Sequence, residues 1–130
     1  MAKNILAMNQ KGMELSLSSS HFDNPAGFDS YNHYSSADDL TKITEEALKN
    51  PDLLRIFGTR ETDVSSLDKT RQHHLSNLNK LLSSVTGVLG VKTGYTDAAK
   101  ENLVGLGERD GHRILTVVLG SDDRFGETEA

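Results

Sequence analysis

Ten residues, Gly87-Val88-Leu89-Gly90-Val91-Lys92-Thr93-Gly94-Tyr95-Thr96, constrain the fold of this chain more than any other stretch. Val88, Leu89 and Val91 are apolar positions suited to a strand, and a glycine stands on either side of the Lys92-Thr93 pair. Lys92-Thr93-Gly94 then lies along the strand, with Gly94 leaving room for something to approach the backbone closely. A strand edge that offers a lysine, a hydroxyl and bare backbone can bind an anionic, peptide-like ligand. The ligand pairs with the main chain, while Lys92 and Thr93 meet its carboxylate. Taken alone, the tripeptide equally fits a plain strand followed by a turn. Two more strands follow. Asn102–Gly107 and the apolar run Arg113–Leu119 are separated by Glu108-Arg109-Asp110-Gly111, in which Asp-Gly is a hairpin signal. The last run has the character of a strand buried on both faces.

The first two thirds of the chain read as short helices and loops. Asn4–Leu17 carries Ile5, Leu6, Met8, Met13, Leu15 and Leu17, and the spacing predicts a short helix that frays or ends near Gly12. Ser18-Ser19-Ser20 is a polar connector, and His21–Phe28 is a turn block built on Asn24-Pro25 and Gly27. His21 reads as a loop brace, because no motif sets a serine beside it for a base to activate. Ser35 is the expected N-cap of the next helix, with Asp38 as an acidic capping-box partner; Asp38 and Asp39 both suit the positive end of the helix dipole. That role accounts for the acids near His33 without a metal, and nothing in the chain calls for a metal or a cofactor. Leu40, Ile43, Ala47 and Leu48 form its apolar stripe. A further short helix starts with Pro51 at its first position and stops at Gly58. Thr59–Gln72 is a surface hairpin or loop. Leu75, Leu78, Leu81 and Leu82 then recur at helical spacing, and the adjacent His73 and His74, unable to face one metal from a helix, are solvated.

Composition narrows the classes. At 130 residues the chain is a single domain's worth, and its net charge of −5 argues against broad attraction to nucleic acid or anionic lipid. Without cysteine there is no disulfide framework. No apolar run is long enough to span a membrane, and Met1-Ala2-Lys3 leads into an amphipathic pattern, not a signal-peptide core.

Lys92-Thr93-Gly94 within Gly87–Ala130, together with SHFDNPAGFDSYNHYSSADDLTKI (Ser20–Ile43), resembles the D-alanyl-D-alanine carboxypeptidases, the low-molecular-weight penicillin-binding proteins. The resemblance runs from about Asn4 to the end, is weakest between Thr59 and Arg71, and corresponds to the C-terminal part of that catalytic domain. It implies an α+β, partial β-lactamase/transpeptidase-like fold: one incomplete domain over 1–130, helical and looped over 1–86 and a three-stranded antiparallel sheet over 87–130. It also implies roles. Lys92 supplies positive charge to the site, the backbone N–H of Tyr95 forms half of an oxyanion hole, and Thr93, Gly94 and Arg124 bind substrate. Arg124 has a competing assignment, a surface pairing with Asp122 or Asp123. The implied substrate is a peptidoglycan stem peptide, with β-lactams as further ligands, and the implied compartment is extracytoplasmic.

The family's Ser-x-x-Lys and Ser-x-Asn motifs, its first two strands and its C-terminal helix have no counterpart here. Ser66-Leu67-Asp68-Lys69 matches the first motif in letters only, since a nucleophile motif needs a buried helix start and this stretch has no apolar stripe. Two readings stand: a serine D-Ala-D-Ala carboxypeptidase fragment, inert alone, or a non-catalytic module binding peptidoglycan peptides or a partner. With no first strand to cover it, Arg113–Leu119 is expected to pair between chains in a homodimer or higher assembly.

Overall fold

The computed structural model describes residues 2–129; Met1, from which the leader reading starts, and Ala130 lie outside them. The order is α1 (Ala2–Glu14), α2 (Ala37–Ala47), α3 (Pro51–Phe57), β1 (Glu61–Ser65), β2 (Gln72–Ser76), α4 (Leu81–Ser84), β3 (Val88–Thr96), β4 (Lys100–Arg109), β5 (His112–Ser121) and α5 (Arg124–Glu129). The expected class holds: short helices precede a three-stranded antiparallel sheet of order β3-β4-β5. Asp110 and Gly111 both have positive φ, 52° and 78°, as a tight turn joining Arg109 to His112 requires. The core gathers on β4, where Leu103, Val104 and Leu106 are buried on both faces of the strand, with Leu81 and Leu82 of α4 beside them.

Several expectations need correction. The first helix does not end at Gly12. It runs to Glu14 and closes with paired bonds, Leu17 N–H to the Gly12 carbonyl at 2.9 Å and Ser16 N–H to the Met13 carbonyl at 3.0 Å. Gly12 is buried against Leu17 and Phe22, so it serves packing and not termination. Ser16 takes the left-handed position of that cap, at φ 55°.

The N-cap of α2 is Ser36, not Ser35: its hydroxyl accepts from Asp39 N–H at 3.2 Å, while the Ser35 hydroxyl lies 2.7 Å from that of Ser20. The helix predicted around His73–Leu82 shrinks to Leu81–Ser84. Residues 72–76 pair instead with 61–65, so Leu75 and Leu78 stay exposed and only Leu81 and Leu82 reach the core. Arg113–Leu119 is not covered on both faces; Ile114 is 66% and Leu119 41% exposed. A short last helix, Arg124–Glu129, follows the sheet where none was expected.

Asp39 ties the helical part together. Its side chain is fully buried and accepts Ser19 N–H at 2.7 Å, Ser18 N–H at 3.3 Å and the Ser20 hydroxyl at 2.8 Å, with Lys42 Nζ at 3.4 Å. Burial pushes this carboxyl up, but the bonds from Ser19, Ser20 and Ser18 outweigh it and hold the group below its ordinary 3.8. The serine connector is thus fastened to α2 by one carboxylate.

Two outcomes follow. A group whose pKa is lower in the folded chain stabilises above its unfolded value and loses that contribution as pH falls through the folded value. Urea midpoints are therefore expected to drop below pH 3.8, and Asp39→Asn is expected to lower stability at neutral pH while flattening that acid limb. Ser16→Gly removes left-handed strain and is expected to raise stability by about 0.5–1 kcal/mol, read by the same unfolding curves.

Candidate functional site

β3 is an edge strand, so one row of its N–H and C=O groups is not consumed by the ladder to β4. Its two halves differ. At the Val88–Gly90 end the strand is pressed against α3: a Cβ on Gly90 would lie 2.9 Å from Phe57 Cβ, and one on Gly58 would lie 3.0 Å from the Leu89 carbonyl oxygen. The Lys92–Thr96 end instead opens on a groove of about 670 Å³. The sheet supplies one wall through Lys92, Thr93, Gly94, Tyr95, Asn102 and Leu103. The other wall comes from Met8, Phe22, Leu40 and the loop Asn24-Pro25-Ala26-Gly27.

All five residues singled out from the sequence line this one groove: Lys92, Thr93, Gly94, Tyr95 and Arg124. Lys92 is exposed and its ammonium donates to the Thr93 carbonyl. Thr93 is buried, 8% exposed, with its backbone opposite Leu103. Gly94 pairs with Asn102, and a Cβ there would meet only Asn102 Cβ, at 3.8 Å, an ordinary contact. Neither crowding nor a positive φ calls for glycine at this position, in contrast to Gly90. The Tyr95 ring is exposed and its hydroxyl bonds Asp97 at 3.0 Å, which pushes the phenol up; its backbone remains in the ladder opposite Glu101.

Arg124 does not pair with its acidic neighbours. Asp122 binds Lys100 at 2.9 Å, and Asp123 accepts the Gly126 N–H at 3.0 Å. The Arg124 Nη1 instead donates to the Gly94 carbonyl at 2.9 Å, the guanidinium lies 4.9 Å from the centre of the Phe125 ring, and its Nε is buried without a partner. The arginine therefore sits against the backbone of the Lys-Thr-Gly strand, 30 residues away in sequence.

The loop wall was not foreseen as part of the site. Asn24 Oδ1 accepts the N–H groups of Ala26, Gly27 and Phe28 at 3.1, 2.8 and 3.0 Å, which folds the Asn-Pro-Ala-Gly turn into a rigid knuckle. The Thr96 hydroxyl donates to Asp29 at 2.6 Å and pins the loop to the end of β3. The Asn-Pro-x-Gly signal predicted a turn; that the turn faces Lys92 needed the packing. His21 braces the base of this loop: it bridges to Tyr34, and its Nδ1 lies 2.6 Å from the Asn32 carbonyl oxygen. Ser66 and Lys69 occupy the tip of the β1–β2 hairpin, where Ser66 bonds Asp68 and accepts Arg71 N–H, and neither lines the groove. Among the described residues no serine lines it.

An edge strand bearing Lys-Thr-Gly, set against helices across a groove in an α+β frame, places the chain with solved penicillin-recognising serine enzymes. The crystal structure of the Streptomyces K15 DD-transpeptidase superposes with a TM-score of 0.83 at 34% identity, covering 88% of this chain and 45% of that one. The D-alanyl-D-alanine carboxypeptidase of Mycobacterium tuberculosis superposes at 0.80 with 31% identity, covering 88% and 44%. The chain belongs to the D-alanyl-D-alanine carboxypeptidase family, which matches residues 2–123. It is 38% identical over 114 residues to the D-alanyl-D-alanine carboxypeptidase DacF of Bacillus subtilis, spanning 88% of this chain and 29% of that protein. The chain thus spans less than half the length of these relatives.

The glycines give a test of what the fold itself demands. Gly90→Ala is expected to lower stability by about 1–3 kcal/mol through overpacking against Phe57. Gly94→Ala is expected to stay within about 0.5 kcal/mol of the parent, both measured by urea unfolding.

Proposed function

We propose that this chain is the substrate-gripping part of a serine-type D-Ala-D-Ala carboxypeptidase acting on peptidoglycan stem peptides outside the cytoplasm. The observation that carries the reading is the convergence of Lys92, Thr93, Gly94, Tyr95 and Arg124 on one groove beside a free strand edge. A peptide ending in D-alanine adds along the edge of β3 as a further strand. Its carboxylate takes a hydrogen bond from the Thr93 hydroxyl and charge from Lys92 and Arg124. The backbone N–H of Tyr95 aims at the scissile carbonyl as one of two oxyanion donors. Gly94, free of structural duty, lets the ligand backbone close in.

On this reading the 130 residues alone do not hydrolyse the peptide. Acyl transfer needs an activated serine, and none lines the groove. The same observation supports the second reading, a module that binds such peptides without cleaving them. Both predict binding, and they part when a polypeptide carrying a Ser-x-x-Lys helix is added: only the first then yields turnover.

Incubation with diacetyl-Lys-D-Ala-D-Ala is expected to release no free D-alanine and to shift the amide NMR signals of Lys92–Thr96. Thr93→Val and Lys92→Ala are expected to weaken those shifts. Release that Lys92→Ala abolishes would overturn inertness, and unmoved β3 amides would overturn the site. Fluorescent penicillin is expected to leave no covalent label; a label mapped to Ser66 would show that the hairpin serine is a nucleophile after all.

A further inference from the structure

We infer that the outer edge of β5 is a self-association surface, joining two copies of this chain antiparallel into one continuous six-stranded sheet. β5 is the second edge of the β3-β4-β5 sheet, and none of the described strands pairs with its outer side. It is ten residues long and carries neither proline nor lysine, the usual guards of an edge. Its first register irregularity comes only beyond Val118, near Gly120 at φ 67°. Apolar side chains stand open along it, with Ile114 at 66% and Leu119 at 41% exposure. β3, the other edge, is guarded by Lys92 and by the helix packed against Gly90.

The charge pattern selects both the partner and the direction. His112 and Arg113 stand at the start of β5, and Asp122 and Asp123 directly follow its end. Antiparallel pairing with a second copy, about a two-fold axis near Val117, sets each basic end beside the other copy's acidic end. Parallel pairing sets like beside like. A two-fold contact of this kind is closed and stops at two chains.

Surface area points the same way. A compact monomer of 14.2 kDa exposes roughly 6,800 Å². This chain exposes 9246 Å². Part of the excess is the β1–β2 hairpin, whose strands are exposed throughout. The remainder is of the order that one partner contributes to an obligate dimer, which buries about 2,000–5,000 Å² over both chains.

The inference is independent of the site reading, because Ile114 and Arg113 lie outside the groove. Sedimentation velocity and light scattering over a wide concentration range are expected to give twice the monomer mass. Ile114→Lys, an exposed position where a charge guards the edge, is expected to give a monomer with unchanged circular dichroism and unchanged amide shifts on peptide addition. The chain has no cysteine, so single cysteines at Leu115, Thr116, Val117 and Val118 test the axis directly. Oxidation is expected to cross-link one or two adjacent positions of these four, and not Ser65→Cys on the distant hairpin. A wild-type monomer at every concentration overturns the inference. So does a dimer that survives Ile114→Lys with no cross-link in β5, or growth into open-ended aggregates. Loss of peptide binding with the dimer intact would instead count against the site alone.

Discussion

Everything in this chain hangs on β4, the one strand with hydrogen-bonded neighbours on both sides. Leu103, Val104 and Leu106 bury opposite faces of it, so its position is defined by packing above and below as well as by the ladders. β3 inherits that order through a register from Val88↔Gly107 to Thr96↔Lys100. A functional strand at an edge would otherwise be free to slip, and a slip of one residue would turn Thr93 out and Lys92 in. The close contacts of Gly90 with Phe57 and of Gly58 with Leu89 fix the strand a second time. The lysine, the threonine and the bare backbone of Gly94 are therefore presented from a rigid element, as recognition of a short anionic peptide requires.

The opposite wall of the groove has its own anchor. The Asp39 carboxylate gathers the Ser18–Ser20 connector onto α2, and the Asn24 knuckle and the Asp29–Thr96 bond carry that order out to the sheet. The groove is thus bounded by two separately braced bodies joined by single hydrogen bonds and a few apolar contacts. Arg124 links the end of the chain to the same place by gripping the Gly94 carbonyl. Stacking on Phe125 shields its guanidinium, which lets a charged group lie partly buried beside the strand.

The sheet was legible because strand period, glycine punctuation and Asp110-Gly111 agree with one another, and each is a local signal. Pro51 and Gly58 bounded α3 for the same reason. The failures are equally physical. Leu75, Leu78, Leu81 and Leu82 fit a helix, yet a hairpin partner eleven to fifteen residues upstream captured 72–76 in a ladder that periodicity cannot see. Gly12 looked like a stop but is a packing glycine, because Leu17 and Phe22 fold back over it. Ser35 and Ser36 are indistinguishable as caps until Ser20 claims the first of them.

By itself the sequence determined the strand chemistry of Lys92-Thr93-Gly94, the α+β order of elements and the family, all of which rest on residues adjacent along the chain. Only the tertiary structure decided which edge of the sheet those residues occupy. It also decided that Arg124 turns to Gly94 instead of Asp122 or Asp123, and that the Asn24–Gly27 turn faces the lysine. These are contacts between groups tens of residues apart, whose alternatives are equally allowed by local geometry. Packing around β4 and the buried Asp39 selects among them.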